Sequence, residues 1–355
     1  MPTGRDNETL ITDYEISSAG SRIPPEAQAV VSGIEIDLDV ENAGMFSLLL
    51  HAGEREQQRY TWIDADLFKP GTEIKIKIGY GSTLATMIAG EITALAPEYT
   101  DGGAVVLRVR GYDRLYRLGF GRKTYAFRNM KDSDIASQIA QDWSLTPVVD
   151  ATDTTHDYVL QCNQTDREFL MERARRLRYE LRVEDRTLYF QKPKEDAGAV
   201  ATLTYGEALV DFFPALSTVH QTSKAVAQGW SVKDKKSVSG TAASGDVISS
   251  MAGSETGPKA AERIAGERVL TLAGENAATQ GEAEALAKAA LNRAAMEYIT
   301  GEGNSVGNPD IKAGTVVALQ GLGQRFSGRY YVTACKHSLG GSGYQTQFAV
   351  RRSAA

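Results

Sequence analysis

The chain has 355 residues, enough for two or three domains with ample core. Hydrophobic residues make up 42% and charged residues 24%, as in an ordinary globular protein, and no stretch approaches the roughly 18 consecutive apolar residues that a membrane-spanning helix needs. A net charge of −6 argues against nonspecific binding of nucleic acid, and two distant cysteines, Cys162 and Cys335, disfavour both a disulfide scaffold and a cysteine-ligated zinc site.

The polar opening, MPTGRDNETL, carries no readable secretory signal. Ile34, Ile36, Leu38 and Val40 alternate with Glu35, Asp37 and Asp39, the period of two expected of a half-buried strand. A second strand, 46–50, follows an Asn-Ala-Gly turn. Over 73–78 the alternation is complete, with Ile74, Ile76 and Ile78 on one face and Glu73, Lys75 and Lys77 on the other. Strands at 87–95 and 104–112 complete an antiparallel meander that suggests a small barrel or sandwich.

The character changes near residue 121. Asp132 is placed to cap a helix whose inward positions are Ile135, Ala136, Ile139, Ala140 and Trp143. After a strand at 158–160, Thr165-Asp166-Arg167-Glu168 reads as a capping box opening a second helix, which carries Phe169, Leu170, Ala174 and Leu177 inward. A hairpin turning at Glu184-Asp185 ends this α/β module. β character resumes from 202 to 230. Residues 237–258, rich in Gly, Ser, Thr and Ala, read as a long mobile loop too polar to pack. A strand at 268–272 and a second capping box, Thr279-Gln280-Gly281-Glu282, lead into a helix to about Tyr298 whose small residues suit close docking on a sheet. Strands at 315–319, 330–336 and 346–351 close the chain.

The chemistry-bearing residues form no recognisable site. His51, His156, His220 and His337 lack the spacing of a helical metal site and read as surface or strand residues. Cys335 and His337 would share one strand face, but no third orienting group is visible, so catalysis is not expected there. The clusters Gly119-Phe120-Gly121 and Gly301-Glu302-Gly303 lack the lysine and the strand–turn–helix context of phosphate loops. Arg173, Arg175, Arg176 and Arg178 spray around a helix among glutamates, as in an ion-paired helix. Acidic pairs such as Asp64/Asp66 and Glu195/Asp196 sit in expected loops and give a glycosidase reading little support. No enzyme, metal or cofactor is expected.

One pattern recurs. Phe68-Lys69-Pro70-Gly71-Thr72 reads against Ile311-Lys312-Ala313-Gly314-Thr315. Gly90 precedes Ile92-Thr93-Ala94-Leu95 as Gly328 precedes Val332-Thr333-Ala334-Cys335. Asp101-Gly102-Gly103 then leads into Leu107-Arg108-Val109-Arg110 as Gly340-Gly341-Ser342-Gly343 leads into Phe348-Ala349-Val350-Arg351. This order of landmarks predicts one β-rich unit used twice, with Gly71, Gly90, Gly314 and Gly328 as its structural turn glycines. Valine at Gly71 or Gly314 is expected to cost more than about 1 kcal/mol.

At 111–191 a further pattern emerges. Gly111-Tyr112-Asp113-Arg114-Leu115-Tyr116 leads to Phe127-Arg128-Asn129 and Asp134-Ile135-Ala136. Then come Gln161-Cys162-Asn163-Gln164-Thr165-Asp166-Arg167-Glu168-Phe169-Leu170, Ala174-Arg175-Arg176 and Tyr179-Glu180-Leu181. With Pro309-Asp310-Ile311-Lys312-Ala313-Gly314, Phe326-Ser327-Gly328-Arg329-Tyr330-Tyr331-Val332 and Gly343-Tyr344-Gln345-Thr346, this resembles the phage late control D, or VgrG-like, baseplate hub family over nearly the whole chain from about residue 30.

The resemblance implies an α+β, mainly β, chain of two tube-like antiparallel β-barrels (1–120 and 200–355) separated by a small α/β insert (121–199). The second barrel would carry a flanking helix near 279–298 and the mobile loop 237–258. It further implies a homotrimer of pseudo-six-fold symmetry that adapts the hexameric inner tube of a contractile tail to a three-fold spike. The expected partners are the chain itself, an inner tube protein, a separate spike protein and other baseplate proteins, with assembly in the bacterial cytoplasm into a virion tail or tail-like injection particle. VgrG-type proteins continue past the second barrel into an OB-fold and a needle, whereas this sequence stops at Ala355, so the spike is expected on another polypeptide. The alternative weighed is a tail module that binds or hydrolyses cell-wall glycan.

Overall fold

The structure, a computed structural model, describes residues 11–54, 60–101 and 104–355. Its first part holds β1 (Thr12–Ser18), β2 (Ser21–Arg22), a short helix α1 (Pro25–Ala29), β3 (Val31–Asp39), β4 (Met45–Glu54), β5 (Glu73–Tyr80), β6 (Thr83–Glu98) and β7 (Ala104–Asp113). The middle holds β8 (Lys123–Lys131), α2 (Asp132–Asp142), β9 (Thr146–Val149), β10 (Thr155–Gln164), α3 (Asp166–Leu177), β11 (Glu180–Glu184) and β12 (Thr187–Gln191). There follow β13 (Ala201–Thr204), β14 (Leu209–Leu216), β15 (Lys224–Ser231), β16 (Lys236–Ala243), α4 (Gly257–Ala265), β17 (Val269–Ala277) and α5 (Gln280–Met296). The chain closes with β18 (Ile299–Val306), β19 (Val316–Gln320), α6 (Gly323–Phe326), β20 (Gly328–Gly340) and β21 (Gly343–Arg352). The molecule is mostly antiparallel β with few helices.

The alternating strands bury one face each. Ile74, Ile76 and Ile78 of β5 join Ile34, Ile36, Phe46, Leu48, Leu50, Leu107 and Val109 in one apolar cluster. Each such side chain removed from water contributes roughly 1.5–3 kcal/mol before chain entropy is charged against it. A separate cluster lies under the later strands, built on Leu209, Ile299, Val317, Leu319, Tyr330, Val332, Phe348 and Val350. One large sheet connects the two, in the order β14-β18-β21-β20-β3-β4-β7-β6-β5-β1-β2.

With β19 branching from β20, the runs β3-β4-β7-β6-β5 and β14-β18-β21-β20-β19 share one register. Val31 pairs with Leu50 and a bulge precedes Gly33; Leu209 pairs with Ser305 and a bulge precedes Asp211. Leu50 then pairs with Leu107 as Ser305 pairs with Thr346. In β6 the ladder slips between Ile92 and Ala94, and in β20 between Val332 and Ala334. Glu73 opposite Glu91 answers Val316 opposite Tyr331. Two bulges and four strand pairings thus coincide, although few side chains do. Gly102 and Gly103 of the anticipated turn lie outside the described residues.

The middle segment packs α2 and α3 against its strands through Ile135, Ile139, Phe169, Leu170, Leu181, Leu188 and Phe190. Thr165 caps α3: its hydroxyl accepts the Glu168 N–H at 3.1 Å, and the Glu168 carboxylate accepts the Thr165 N–H at 3.0 Å. Asp132 does not cap α2. Asp134 reaches back to the Lys131 N–H at 3.3 Å, and the Asp132 carboxylate is claimed by Arg173 and His156.

Residues 237–258 are not a mobile loop. Strand β16 crosses most of the first half, and Val238 and Ala242 pack beneath α5 with Ala225, Ala227, Ala283 and Leu291. The small residues that made the stretch look unpackable are what let the helix approach: a Cβ on Gly240 would lie 2.0 Å from the Ala283 carbonyl carbon. Met251 is buried as well, and α4 begins at Gly257.

Candidate functional site

The residues singled out by the repeat fall into two kinds. Gly71 (φ +89°) and Gly314 (φ +84°) sit at matching tight turns. Thr72 N–H donates to Lys69 O and Thr315 N–H to Lys312 O, each at 3.1 Å, with glycine third in both turns, the place that demands positive φ in a type II turn. Gly71 N–H donates to Ile92 O at 2.8 Å and Ile92 N–H returns to Thr72 O at 3.0 Å. Gly314 N–H donates to Val332 O and Val332 N–H to Thr315 O, both at 2.8 Å. Each turn is therefore clipped to the strand immediately before its bulge.

Gly90 and Gly328 differ. Gly90 lies inside β6, where a Cβ would come within 2.1 Å of Tyr112 O, so close strand approach rather than a turn requires it. Gly328, with φ +141°, opens β20 against the Arg352 guanidinium. The register aligns Gly90, opposite Ile74, with Tyr330, opposite Val317; Gly328 answers Ile88 instead. The sequence pairing of these two glycines was displaced by two residues.

Two of the histidines read as surface or strand residues lie on strands and are buried. His337 Nε2 lies 2.9 Å from Ile311 O, a pure acceptor, so that nitrogen carries the proton. Nδ1 then accepts from the hydroxyls of Tyr344 at 2.8 Å and Thr346 at 3.1 Å. The Cys335 thiol is 3.6 Å from Nε2. Burial pushes this thiol up to about 12 and lowers His337 to about 4. A protonated thiol beside a neutral, fully engaged imidazole generates no thiolate, so the pair is a structural polar cluster in the core.

His156 is clamped between carboxylates, with Nε2 2.9 Å from Asp132 and Nδ1 2.7 Å from Glu282. Burial alone would lower its pKa, but the hydrogen bonds to Asp132 and Glu282 raise it to about 9. Arg173 completes the cluster, its Nε 2.5 Å from Asp132. Glu282 also closes the capping box of α5, accepting the Thr279 N–H at 3.1 Å. One ionic knot therefore fastens the middle segment to the helix beside the second ladder. Neighbouring arginines in and just after α3 add Arg176 to Glu275 at 2.9 Å, Arg175 to Glu41 at 3.5 Å, and Arg178 to Glu195. Spacing alone gave no hint that these charges reach distant parts of the chain.

Between α3 and α5 runs an open groove of about 1080 Å³, lined by Arg122, Arg167, Arg175, Arg293, Glu41 and Glu172 among others. Opposite charges alternate across it, as where Arg122 meets Glu168 at 2.5 Å, so it presents no field of one sign to a ligand. Among the described residues no group of three or more His, Cys, Asp or Glu side chains is placed to hold a metal ion, and no helix is long and apolar enough to cross a membrane.

Residues 8–340 match the family model described as the Alg8 N-terminal domain, and the chain belongs to that family. No curated protein matches it. Among solved structures, the 43 kDa tail protein of prophage MuSo2 from Shewanella oneidensis is similar with a TM-score of 0.72 at 15% identity, over 96% of this chain and 98% of that one. A tail protein from Neisseria meningitidis gives 0.69 at 15% identity, over 96% of both chains. The Escherichia coli c3393 protein, described as a component of the type VI secretion system with structural similarity to T4 bacteriophage tail proteins gp27 and gp5, gives 0.58 at 13% identity, over 95% of this chain and 76% of its own. At these identities the likeness is one of fold.

Proposed function

We propose that this member of the Alg8 N-terminal domain family is a structural hub of a contractile tail or tail-like injection particle. Three copies form a trimer that meets a six-fold inner tube on one side and a three-fold spike on the other. The observation that carries this reading is the duplicated ladder, with its bulges and pairings in one register. A trimer offers six comparable surfaces only if each chain holds two versions of one scaffold. The fold shared with two tail proteins, one of them of a prophage, and with a type VI secretion component supports the same reading.

On this reading segments 1–120, 121–199 and 200–355 act as first tube-like unit, insert and second tube-like unit, and Gly71 and Gly314 hold matching turns of the two. Other baseplate proteins bind the outside, and assembly takes place in the bacterial cytoplasm. The interface between copies is obligate, burying above roughly 2,000 Å². Light scattering tests it: the expected mass is three times the 38.4 kDa of one chain. Averaged electron micrographs of the trimer should show six lobes, and the trimer should co-sediment with tube rings. A monomer at every concentration, with spike protein added, overturns the proposal, as does robust clearing of purified cell walls by the chain alone.

A further inference from the structure

The internal junction between the ladders is a strand pairing. Residues 334–339 of β20 run antiparallel to residues 39–34 of β3. The shared register gives each partner a counterpart in the other ladder. Leu95 and Pro97 of β6 stand where Cys335 and His337 stand in β20, because each pair opposes matching residues of β7 and β21. Phe212, Pro214 and Leu216 of β14 stand where Ile34, Ile36 and Leu38 stand in β3.

Among the described residues both counterpart edges lack a strand. Beyond Ile92, whose backbone is bonded to Gly71 and Thr72, β6 pairs only with β7, and β14 pairs only with β18. Burial follows the same division. Ile36 and His337 are 0% exposed at the internal junction. Their counterparts Pro214 and Pro97 are half-buried and exposed. Leu95, Phe212 and Leu216 are likewise only half-covered, and Tyr99 is 61% exposed. Outside the seam the internal ladder carries an ion pair, Lys336 to Glu35 at 3.1 Å. The counterparts of that pair are Ala96 and Phe213, the latter 70% exposed. Apart from Glu98, which is paired with Arg108 at 3.4 Å and would stand opposite Phe213, both open edges are apolar where the closed one is part polar.

We infer that β14 of one copy pairs antiparallel with residues 94–99 of β6 in the next copy, repeating between chains the β3–β20 junction within one. The contact is heterologous, head to tail, so repeating it gives a ring where the rotation closes and an open filament where it does not. It deepens the hub reading and rests on it for the number of copies, three, which gives three internal and three intermolecular junctions in alternation.

The prolines fit this arrangement. Asp113 N–H donates to Gly44 O, which turns residues 111, 109 and 107 of β7 toward β4 and leaves 95 and 97 of β6 facing the open edge. Ser217 N–H donates to Tyr298 O, which leaves 212, 214 and 216 of β14 facing outward. Pro97 and Pro214 therefore lack their N–H only on the open sides, at no cost to the chain's own ladders. They face each other in the intermolecular pairing. That pair forgoes its hydrogen bonds while Leu95 with Leu216 and Tyr99 with Phe212 keep theirs. In the free chain the same prolines discourage indiscriminate edge pairing.

Ala96 and Ala215 correspond to Lys336 and Asp37, a directly opposed pair in the internal ladder. Neighbouring pairs carry the hydrogen bonds there, so the Cα atoms lie about 4.5 Å apart, within disulfide reach. Cysteines at both positions, A96C with A215C, in a Cys162→Ser background because Cys162 is exposed, should give covalent species of up to three chains on mild oxidation. The internal control, D37C with K336C, should cross-link within one chain. Circular dichroism melts establish that each variant is folded. A trimer by light scattering that forms no intermolecular disulfide overturns this junction and leaves the hub reading standing. A folded monomer without cross-links overturns both. Covalent ladders running past three chains support the strand pairing and overturn closure at three.

Discussion

The two ladders have the same hydrogen-bonding plan and different interiors. In the first, Ile34, Ile36, Leu48, Leu107 and Val109 make an almost wholly aliphatic core. In the second, Tyr330 and Cys335 stand among the apolar side chains and the Tyr330 hydroxyl donates to Phe326 O, while at the junction of the ladders the hydroxyls of Tyr344 and Thr346 meet the His337 imidazole and Tyr344 packs on the first cluster. The difference teaches that backbone geometry, the two bulges and the clipped turns, is what the duplicated units hold in common. Side chains are free to diverge as long as most buried polar groups find partners.

That comparison can be broken most severely in the cores. Ile76 and Leu319 occupy one position of the shared register and both are fully buried. Alanine at either should cost about 2–5 kcal/mol by chemical denaturation, with the two values within about 1 kcal/mol of each other. Widely unequal costs would show that one ladder contributes little to folding.

The second break concerns an asymmetry, since the ionic knot of the middle segment grips only the helix beside the second ladder. Asp132→Ala leaves Arg173 and His156 without their shared carboxylate and should cost about 3 kcal/mol. Hydrogen exchange should rise first in α2 and β10, and a uniform rise across the first ladder would contradict this placement.

The same knot predicts a pH dependence. His156 is raised to about 9 in the folded chain, against an ordinary value near 6.5. A raised folded pKa means that its stabilisation is complete below about 6.5 and is lost as pH climbs through 9. The melting temperature should therefore fall between pH 7 and 9.5, and His156→Gln should flatten that fall. An unchanged slope in the variant would remove His156 as the cause.

A smaller effect sharpens the comparison at the turns. Gly71→Val and Gly314→Val force a β-branched residue to positive φ, and each should cost more than about 1 kcal/mol. No atom lies within 4 Å of a Cβ at Gly71, so the cost there is backbone strain alone. Equal stability of variant and parent would dismiss the turn argument. Smallest of all, Glu41→Gln should change stability by less than about 1 kcal/mol, because its pair with Arg175 is exposed on both sides.

Local patterns were legible where one residue type satisfies one rule. The isoleucines of β5, the capping boxes at Thr165 and Thr279, and the Lys-x-Gly-Thr turns could each be placed from a few neighbouring letters. β16 was missed because its buried face consists of Val238, Gly240 and Ala242, whose value lies in how closely α5 can approach rather than in hydrophobic bulk. The burial of His156 on its strand was not legible because its partners, Asp132 and Glu282, stand 24 and 126 positions away.

The sequence by itself determined that this is a strand-rich, membrane-helix-free chain with a recurring turn and a helical insert, since periodicity and turn chemistry are local. Only the tertiary structure decided which strands align, that the bulges coincide, and that Gly90 answers Tyr330 rather than Gly328. Register is a property of hydrogen bonds between distant strands, and a shift of two residues leaves every hydrophobic pattern intact, so no single strand can report it.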